Sequence, residues 1–169
     1  CAYRTRARVV GVSALLDAIG SSATVFLDTM VFAYHLGDHP RYRPLTRPVL
    51  GATEAGALRA LTTTVCVAEV LVPAARSGDR DLFAAYYLFL RNFPNLTILP
   101  IDIDVAREAA TVRGQTGLRM PDALHVAAAQ RASADIILTN DRAWSRIASP
   151  RVLLLDNYAP LPSGTEDGI

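Results

Sequence analysis

Four acidic residues occupy positions where a carboxylate could do chemistry. Asp28 directly follows a short apolar run, and Asp141 lies two residues beyond another. Glu69 has apolar neighbours on both sides, and Asp122 opens an alanine-rich apolar segment. Because a buried ionised carboxylate needs a partner or an ion, the surroundings of Glu69 and Asp122 are unusual for structural residues.

Each of the four residues also has an ordinary structural explanation. An Asp that follows a strand often caps the next helix, which would account for Asp28 and Asp141. Glu69 could reach solvent from an otherwise buried helix or pair with an Arg, and Asp122 could stabilise its helix dipole. The four residues therefore indicate a functional site only if the fold brings them together.

A shared site of four carboxylates requires compensating positive charge, because like charges raise one another's pKa. The chain has no Lys: all 17 basic residues are Arg, and Arg119 and Arg142 are the ones nearest these acidic positions. Mg²⁺ or Mn²⁺ would supply the missing charge, since these ions take oxygen ligands and keep bound water. Such ions activate water for attack on phosphorus, so the pattern predicts metal-dependent hydrolysis of a phosphate ester.

The three histidines fit a metal site less well than the carboxylates. His35, His39 and His125 show neither a His-x-His nor a His-Glu-x-x-His spacing. His125 lies three residues after Asp122 and could share its helix face. We expect His125 to be a hydrogen-bonded structural residue.

The composition excludes several other classes of protein. With 169 residues, 51% of them hydrophobic, the chain has the size of one domain and ample material for a core. The absence of Lys excludes a Walker A phosphate loop and a Schiff-base enzyme. Cys1 and Cys66 have no CxxC spacing, which favours a reducing, cytoplasmic compartment over a zinc site or a disulfide framework. The apolar runs are too short for a membrane span, and a net charge of +1 gives no general attraction to nucleic acid.

An α/β fold is expected to position the carboxylates. From Thr24 onward, short apolar runs alternate with helical stretches, a pattern typical of parallel strands with helices on both faces. The predicted strands are 25–27, 58–63, 96–101, 136–139 and 152–155; the predicted helices are 30–35, 65–76, 81–91, 105–113 and 121–131, with a helical turn at 143–147. Thr64 and Asp104 are expected N-caps, and the proline-rich segment 37–48 is expected to be an irregular connection.

The domain is predicted to span residues 23–160. Residues 1–22 have a faint signal-peptide outline, but Asp17 interrupts the apolar part and no clean cleavage site follows. We treat 1–22 as an N-terminal extension of unknown role. Residues 161–169 are expected to form a flexible tail.

The sequence resembles the PIN-domain ribonucleases, and within that family it is most similar to the VapC-type toxins of bacterial toxin–antitoxin pairs. The Pro-Asp-Ala-Leu-His block followed by Thr-Asn-Asp is the most specific part of the resemblance. The matching segments are Phe26-Leu27-Asp28-Thr29, Thr64-Val65-Cys66-Val67-Ala68-Glu69-Val70, Arg119 to Ala129, and Ala134 to Asp141.

This resemblance implies a three-layer α/β/α sandwich with a central, mostly parallel sheet, and a metal-dependent endoribonuclease activity. In such a site Asp28 and Asp122 would be the central ligands of Mg²⁺ or Mn²⁺. Glu69 would bind directly or through water, and Asp141 would complete the ring. The resemblance also implies a cognate antitoxin protein as a partner.

RNA is the implied substrate, with Thr139 and Asn140 supporting the carboxylates by hydrogen bonds. Arg suits phosphate contacts because its planar fork donates two hydrogen bonds at once. Arg41, Arg43 and Arg47 cluster around Tyr42 and could hold the RNA backbone or stack a base; a solvated surface explains them as well.

Two other functions are consistent with the same residues. One is a catalytically inactive PIN-like module that binds RNA or a protein. The other is a small-molecule phosphatase with the same metal chemistry. A homodimer through the apolar stripe at 86–89 is plausible, although such a stripe is more often part of the core.

Overall fold

The computed structural model describes the backbone of residues 2–160 and the side chains of residues 11–160. The strands are β1 (Thr24–Leu27), β2 (Arg59–Thr63), β3 (Leu96–Leu99), β4 (Ile136–Thr139) and β5 (Arg151–Leu154). The helices are α1 (Ala2–Ile19), α2 (Thr29–Leu36), α3 (Arg43–Glu54), α4 (Thr64–Ser77), α5 (Arg80–Asn92), α6 (Ile103–Thr116) and α7 (Met120–Arg131). Two short 3₁₀ turns, Arg142–Arg146 and Leu155–Asn157, flank β5. The predicted tail at 161–169 lies outside the described residues.

The five strands form one parallel sheet in the order β3-β2-β1-β4-β5. Alternate residues of a strand point to opposite faces, so a strand covered on both faces must be apolar throughout. In β1, Val25 and Leu27 enter one core cluster and Phe26 enters the other. The predicted sandwich with a central, mostly parallel sheet is therefore confirmed.

Each face of the sheet has its own helical layer. Helices α1 to α5 contribute to the core cluster on one face, where Phe32, Leu45 and Leu90 are almost completely buried. Helices α6 and α7 cover the other face, and the small side chains of α7, including Ala123 and Ala127, are buried against it. Small residues let a helix approach a sheet closely, which explains the alanine-rich sequence of α7.

The segment predicted to be irregular at 37–48 is partly helical, and that prediction is wrong. Helix α3 begins at Arg43, with Pro44 in its first turn and Pro48 inside it. A proline in the first turn forfeits no hydrogen bond, because the N–H groups there have no helical partner. Leu45, Val49 and Leu50 are buried on one face of α3, and this burial offsets the cost of Pro48.

The two predicted N-caps are also wrong by one and two residues. Thr63, not Thr64, caps α4, and Asp102, not Asp104, caps α6. In both cases the side-chain oxygen accepts a hydrogen bond from the N–H three residues later, at 3.2 Å for Thr63 and 2.8 Å for Asp102. The cap is the last extended residue, so its position depends on where the preceding chain stops being extended.

The second half of α1 packs into the core. Leu15 and Ile19 are buried in the same cluster as β1 and β4. Gly11 faces the backbone carbonyl of Tyr158, where any side chain would collide. Among the described helices, none has the length and apolar character needed to cross a membrane.

Candidate active site

The topology brings the four predicted carboxylates to one end of the sheet. Asp28 directly follows β1 and Asp141 follows β4 by two residues. Glu69 lies in the second turn of α4, which starts where β2 ends, and Asp122 lies in the first turn of α7, which runs back toward β4. The carboxyl ends of parallel strands share one edge of the sheet, and ligands bind at that edge in open α/β folds.

Asp28 is the most deeply buried of the four carboxylates, with 5% of its surface exposed. Its Oδ1 accepts a hydrogen bond from the Thr29 backbone N–H at 2.7 Å, and its Oδ2 accepts one from the Thr139 hydroxyl at 2.7 Å. No described Arg or His lies within salt-bridge distance of it. Burial raises the pKa of Asp28, because the charged form loses hydration without gaining a cation.

Glu69 is held through one of its two oxygens. The Thr29 hydroxyl donates to Oε2 at 2.5 Å, and His125 Nε2 lies 3.4 Å from the same oxygen. The hydrogen bond with His125 lowers the pKa of Glu69, so this carboxylate stays ionised beside the buried Asp28. Oε1 makes no hydrogen bond to the described residues and remains available to a ligand.

His125 is a buried structural residue, as predicted. Its Nδ1 lies 2.8 Å from the Thr63 hydroxyl, and only 1% of its surface is exposed. An ionised carboxylate only accepts hydrogen bonds, so Nε2 must carry the proton that faces Glu69. In a neutral imidazole, Nδ1 then accepts from Thr63, whose oxygen in turn caps α4 through the Cys66 N–H. His125 thereby ties the orientation of Glu69 to the start of α4.

Asp122 and Asp141 complete the arrangement from the other side. Arg119 Nε lies 3.4 Å from Asp122 Oδ2, and the Arg119 side chain is 83% exposed. Burial raises the pKa of Asp122, and the negative charge of Asp141 adds to the effect. Asp141 accepts a hydrogen bond from the Ala143 N–H at 2.8 Å, so it caps the 3₁₀ turn, and its own N–H donates to the Thr139 hydroxyl.

The donor set fits a hard divalent cation in its chemistry. All four groups offer carboxylate oxygen, which Mg²⁺ and Mn²⁺ prefer, and Asp28 is buried without a cationic partner. Among the described residues, however, no three His, Cys, Asp or Glu side chains lie close enough together to hold an ion directly. Water molecules in the coordination sphere would have to bridge part of the distance, and Mg²⁺ commonly keeps several.

A second polar network extends from the site to the end of β5. Asn140 Nδ2 donates to the Tyr34 hydroxyl at 3.2 Å, and Asn140 Oδ1 accepts from the Asp156 N–H at 2.8 Å. Burial raises the pKa of Tyr34, and the charges of Asp28 and Asp156 add to it. Tyr34 therefore lies within electrostatic reach of both carboxylates, and Asn140 supports the turn that holds Asp141.

Sequence reasoning missed Tyr34 and Asp156. Asp156 lies two residues beyond β5, so the rule that selected Asp28 and Asp141 would also have selected it. Tyr34 carries no such signal, because only the fold places its hydroxyl beside Asn140.

In the segment around Tyr42, for which the sequence allowed either an RNA contact or a solvated surface, Arg41, Arg43 and Tyr42 each have a carboxylate partner. Tyr42 is 9% exposed, is stacked on Tyr34 and donates its hydroxyl to Asp156, so it is not free to stack a base. Arg43 pairs with Asp38 at 2.6 Å. Arg41 points instead toward the end of β5.

The model of the PIN domain family matches residues 25–150 of the chain. The chain belongs to the PIN domain family. The match begins in β1 and ends just before β5, so it includes all four carboxylates and leaves α1 outside. No curated protein matches the chain at a significant level.

Several solved structures share this fold, and some of them belong to toxin–antitoxin systems. This PIN domain is similar to VapBC2 from Rickettsia felis, bound to a promoter DNA fragment, with 17% identity and a TM-score of 0.62 over 78% of this chain and 98% of that chain. FitAcB from Neisseria gonorrhoeae gives 21% identity and a TM-score of 0.59, over 78% and 97%. The toxin VapC20 from Mycobacterium tuberculosis, which cleaves the sarcin-ricin loop, is 11% identical with a TM-score of 0.55. That match covers 67% of this chain and 86% of VapC20. At these identities the similarity establishes the fold.

Proposed function

We propose that this PIN domain is a Mg²⁺- or Mn²⁺-dependent endoribonuclease that hydrolyses RNA phosphodiester bonds and acts as the toxin of a toxin–antitoxin pair. The observation that carries the proposal is Asp28. Its carboxylate is buried at the carboxyl end of the central strand, accepts hydrogen bonds from Thr29 and Thr139, and has no described cationic partner. Because burial raises the pKa of Asp28, its ionised form is costly there, and a bound cation would favour that form.

Each of the four carboxylates would have its own role in such a site. Asp28 and Asp122 would be the central ligands, Glu69 would bind through Oε1 directly or by way of water, and Asp141 would complete the ring. When bound, divalent ions lower the pKa of water for attack on phosphorus and stabilise the leaving oxygen.

The remaining polar groups orient these ligands. Thr139 donates to Asp28 and accepts from the Asp141 N–H, so one hydroxyl fixes two carboxylates relative to each other. Thr29 and His125 fix Glu69 from the opposite side. Such supporting contacts lower the reorganisation that the site needs when substrate binds.

A toxin of this kind also needs a protein partner. One solved structure with this fold is a toxin–antitoxin complex from Klebsiella pneumoniae, and another, VapBC-5 from Mycobacterium tuberculosis, belongs to the VapBC family of toxin–antitoxin systems. In this chain, Phe83, Tyr87 and Leu88 of α5 are 39%, 38% and 52% exposed, which is apolar area that a partner would cover. We extend the proposal to a cognate antitoxin, and a homodimer through the same helix remains compatible with it.

Cleavage of a panel of RNAs in the presence of Mg²⁺ or Mn²⁺ tests the proposal. We expect cleavage that EDTA abolishes and that an Asp28→Asn, Asp122→Asn double variant lacks. Asp81→Asn is the matched control, since Asp81 is an exposed carboxylate in the first turn of α5 and should leave the rate unchanged. Unchanged cleavage by the double variant would refute the site. Tight RNA binding without any cleavage would instead support a catalytically inactive module.

A further inference from the structure

Two arginines from distant parts of the chain share one carboxylate. Arg41 Nη2 lies 2.8 Å from Asp156 Oδ1, and Arg142 Nη2 lies 3.0 Å from Asp156 Oδ2. The Tyr42 hydroxyl also donates to Oδ1, at 2.9 Å. Asp156 thus holds two guanidinium groups side by side, one before α3 and one at the start of the 3₁₀ turn after β4.

This arginine pair, Arg41 and Arg142, lies next to the candidate active site. Arg142 directly follows Asp141 in the chain, and Asn140 accepts a hydrogen bond from the Asp156 N–H. Asn140 Nδ2 also donates to the Tyr34 hydroxyl. Hydrogen bonds therefore connect Asp156, which holds the pair, to the turn after β4 that carries Asn140 and Asp141.

The pair has more positive charge and more hydrogen-bond donors than its contacts with Asp156 use. Two guanidinium groups face one carboxylate, which leaves one positive charge uncompensated at that point. The Arg142 side chain is 80% exposed and that of Arg41 is 34% exposed. Each guanidinium has five N–H donors, and for Arg142 the contact with Asp156 engages only Nη2.

The contact of Arg142, whose side chain is 80% exposed, contributes little to stability and is poorly explained as a structural device. The arrangement of the two arginines does suit a polyanion. The carboxylate holds both side chains in one geometry, which reduces the conformational entropy lost when they bind phosphate. The site itself is rich in negative charge and would otherwise repel the RNA backbone.

We propose that Arg41 and Arg142, positioned by Asp156, form a phosphate-binding pair that seats the RNA backbone beside Asp28 and Asp141. This inference rests on the proposed function for its choice of ligand. The two arginines are positioning residues: they contact phosphate flanking the reacting bond and leave the chemistry to the carboxylates.

The test is binding of a fluorescein-labelled single-stranded oligouridylate, followed by anisotropy across a salt series. All variants are made in the Asp28→Asn, Asp122→Asn background, which prevents cleavage and replaces two repelling carboxylates with amides. We expect Arg142→Ala to weaken binding about tenfold, as for a lost charge-assisted hydrogen bond. The slope of log K against log salt should fall by about 0.7 for the one lost phosphate contact. Arg41→Ala should act in the same direction, and the double variant should lose both contacts.

Arg146→Ala is the matched control, because Arg146 is an exposed arginine of the same 3₁₀ turn that donates to the Thr116 carbonyl instead. It should bind like the background chain. An unchanged affinity and slope in Arg142→Ala would overturn the proposal, as would an equal loss in Arg146→Ala or a background chain that fails to bind at low salt. Arg142→Lys should restore part of the affinity.

The outcome is separable from that of the proposed function. If RNA binding depends on Arg41 and Arg142 but the chain never cleaves RNA, the proposed endoribonuclease activity is refuted and the phosphate-binding role of the pair is supported. Cleavage with a KM that Arg41→Ala and Arg142→Ala do not raise would refute the pair alone. If Arg41→Ala lowers the Tm and Arg142→Ala leaves RNA binding unchanged, the two arginines stabilise the fold and do not bind RNA.

Discussion

At the scale of single residues, the site depends on hydroxyl groups as much as on carboxylates. Thr139 connects Asp28 to Asp141, and Thr29 connects the start of α2 to Glu69. Thr139 ends β4, and Thr29 is the first residue of α2, two residues beyond the end of β1, so the sheet fixes the backbone near both threonines. A hydroxyl at such a position can hold a charged oxygen without adding charge of its own.

Thr29→Val tests this role. Valine has nearly the same shape but cannot donate to Glu69, so Glu69 loses one of its two fixing contacts. We expect RNA cleavage to fall about 10- to 100-fold, the usual cost of removing a group that orients a metal ligand. The measurement is the cleavage rate as a function of Mn²⁺ concentration. Thr97→Val, on an exposed position of β3, should have no effect; equal rates for the two variants would contradict the assignment.

At the scale of elements, α1 lies outside the family match, as does β5 at the other end. Helix α1 nevertheless contributes Leu15 and Ile19 to the core beside β1 and β4. Arg151, at the start of β5, donates to the Ala18 carbonyl near the end of α1. The second half of α1 therefore supports the strands that carry Asp28 and Asp141.

Leu15→Ala tests whether α1 stabilises the domain. Leu15 is 1% exposed, and truncating a leucine at such a site costs about 2–5 kcal/mol of unfolding free energy. Urea denaturation measures the change. Asp17→Ala, on the exposed side of the same helix, should change the unfolding free energy by less than about 0.5 kcal/mol. A loss below about 1 kcal/mol in Leu15→Ala would mean that α1 contributes little.

At the scale of the whole molecule, the candidate site joins elements from the length of the chain. The residue after β1, helices α4 and α7, and the turn after β4 each supply one carboxylate, and the turn after β5 supplies Asp156. Without compensation these charges repel one another, so ligand binding and stability are coupled. A cation that binds only the folded chain shifts the unfolding equilibrium in its favour.

Divalent ions should therefore raise the Tm of the chain. At an ion concentration about 100-fold above Kd, the expected gain is about 2.7 kcal/mol. The single Trp144, buried beside His125 with ring centroids 6.1 Å apart, provides a second signal through its fluorescence. Mn²⁺ titrations should show saturation by both readouts. The Asp28→Asn, Asp122→Asn variant should show neither effect, whereas the control Asp81→Asn should respond like the unmodified chain. If the double variant responded as strongly as Asp81→Asn, the ion would bind elsewhere.

Much of the fold was predictable because each strand is a short, largely apolar run, and the central strands β1 and β4 are buried on both faces. β4 was predicted with its observed bounds, and α7 within one residue of its start. The error at α3 has a physical cause: three prolines argue locally against a helix, whereas burial of Leu45 and Val49 decides for one. Local preference is worth a few kcal/mol at most, and the packing of an amphipathic face exceeds it.

The sequence by itself predicted the set of candidate carboxylates and their common end of the sheet, because the alternation of strands and helices implies parallel strands whose ends meet at one edge. Only the tertiary structure decided how the side chains are used. The contacts of Glu69 with His125, and of Asp156 with two arginines, join residues far apart in the chain. Such contacts depend on the direction of side chains from separately packed elements, which no local pattern of residues encodes.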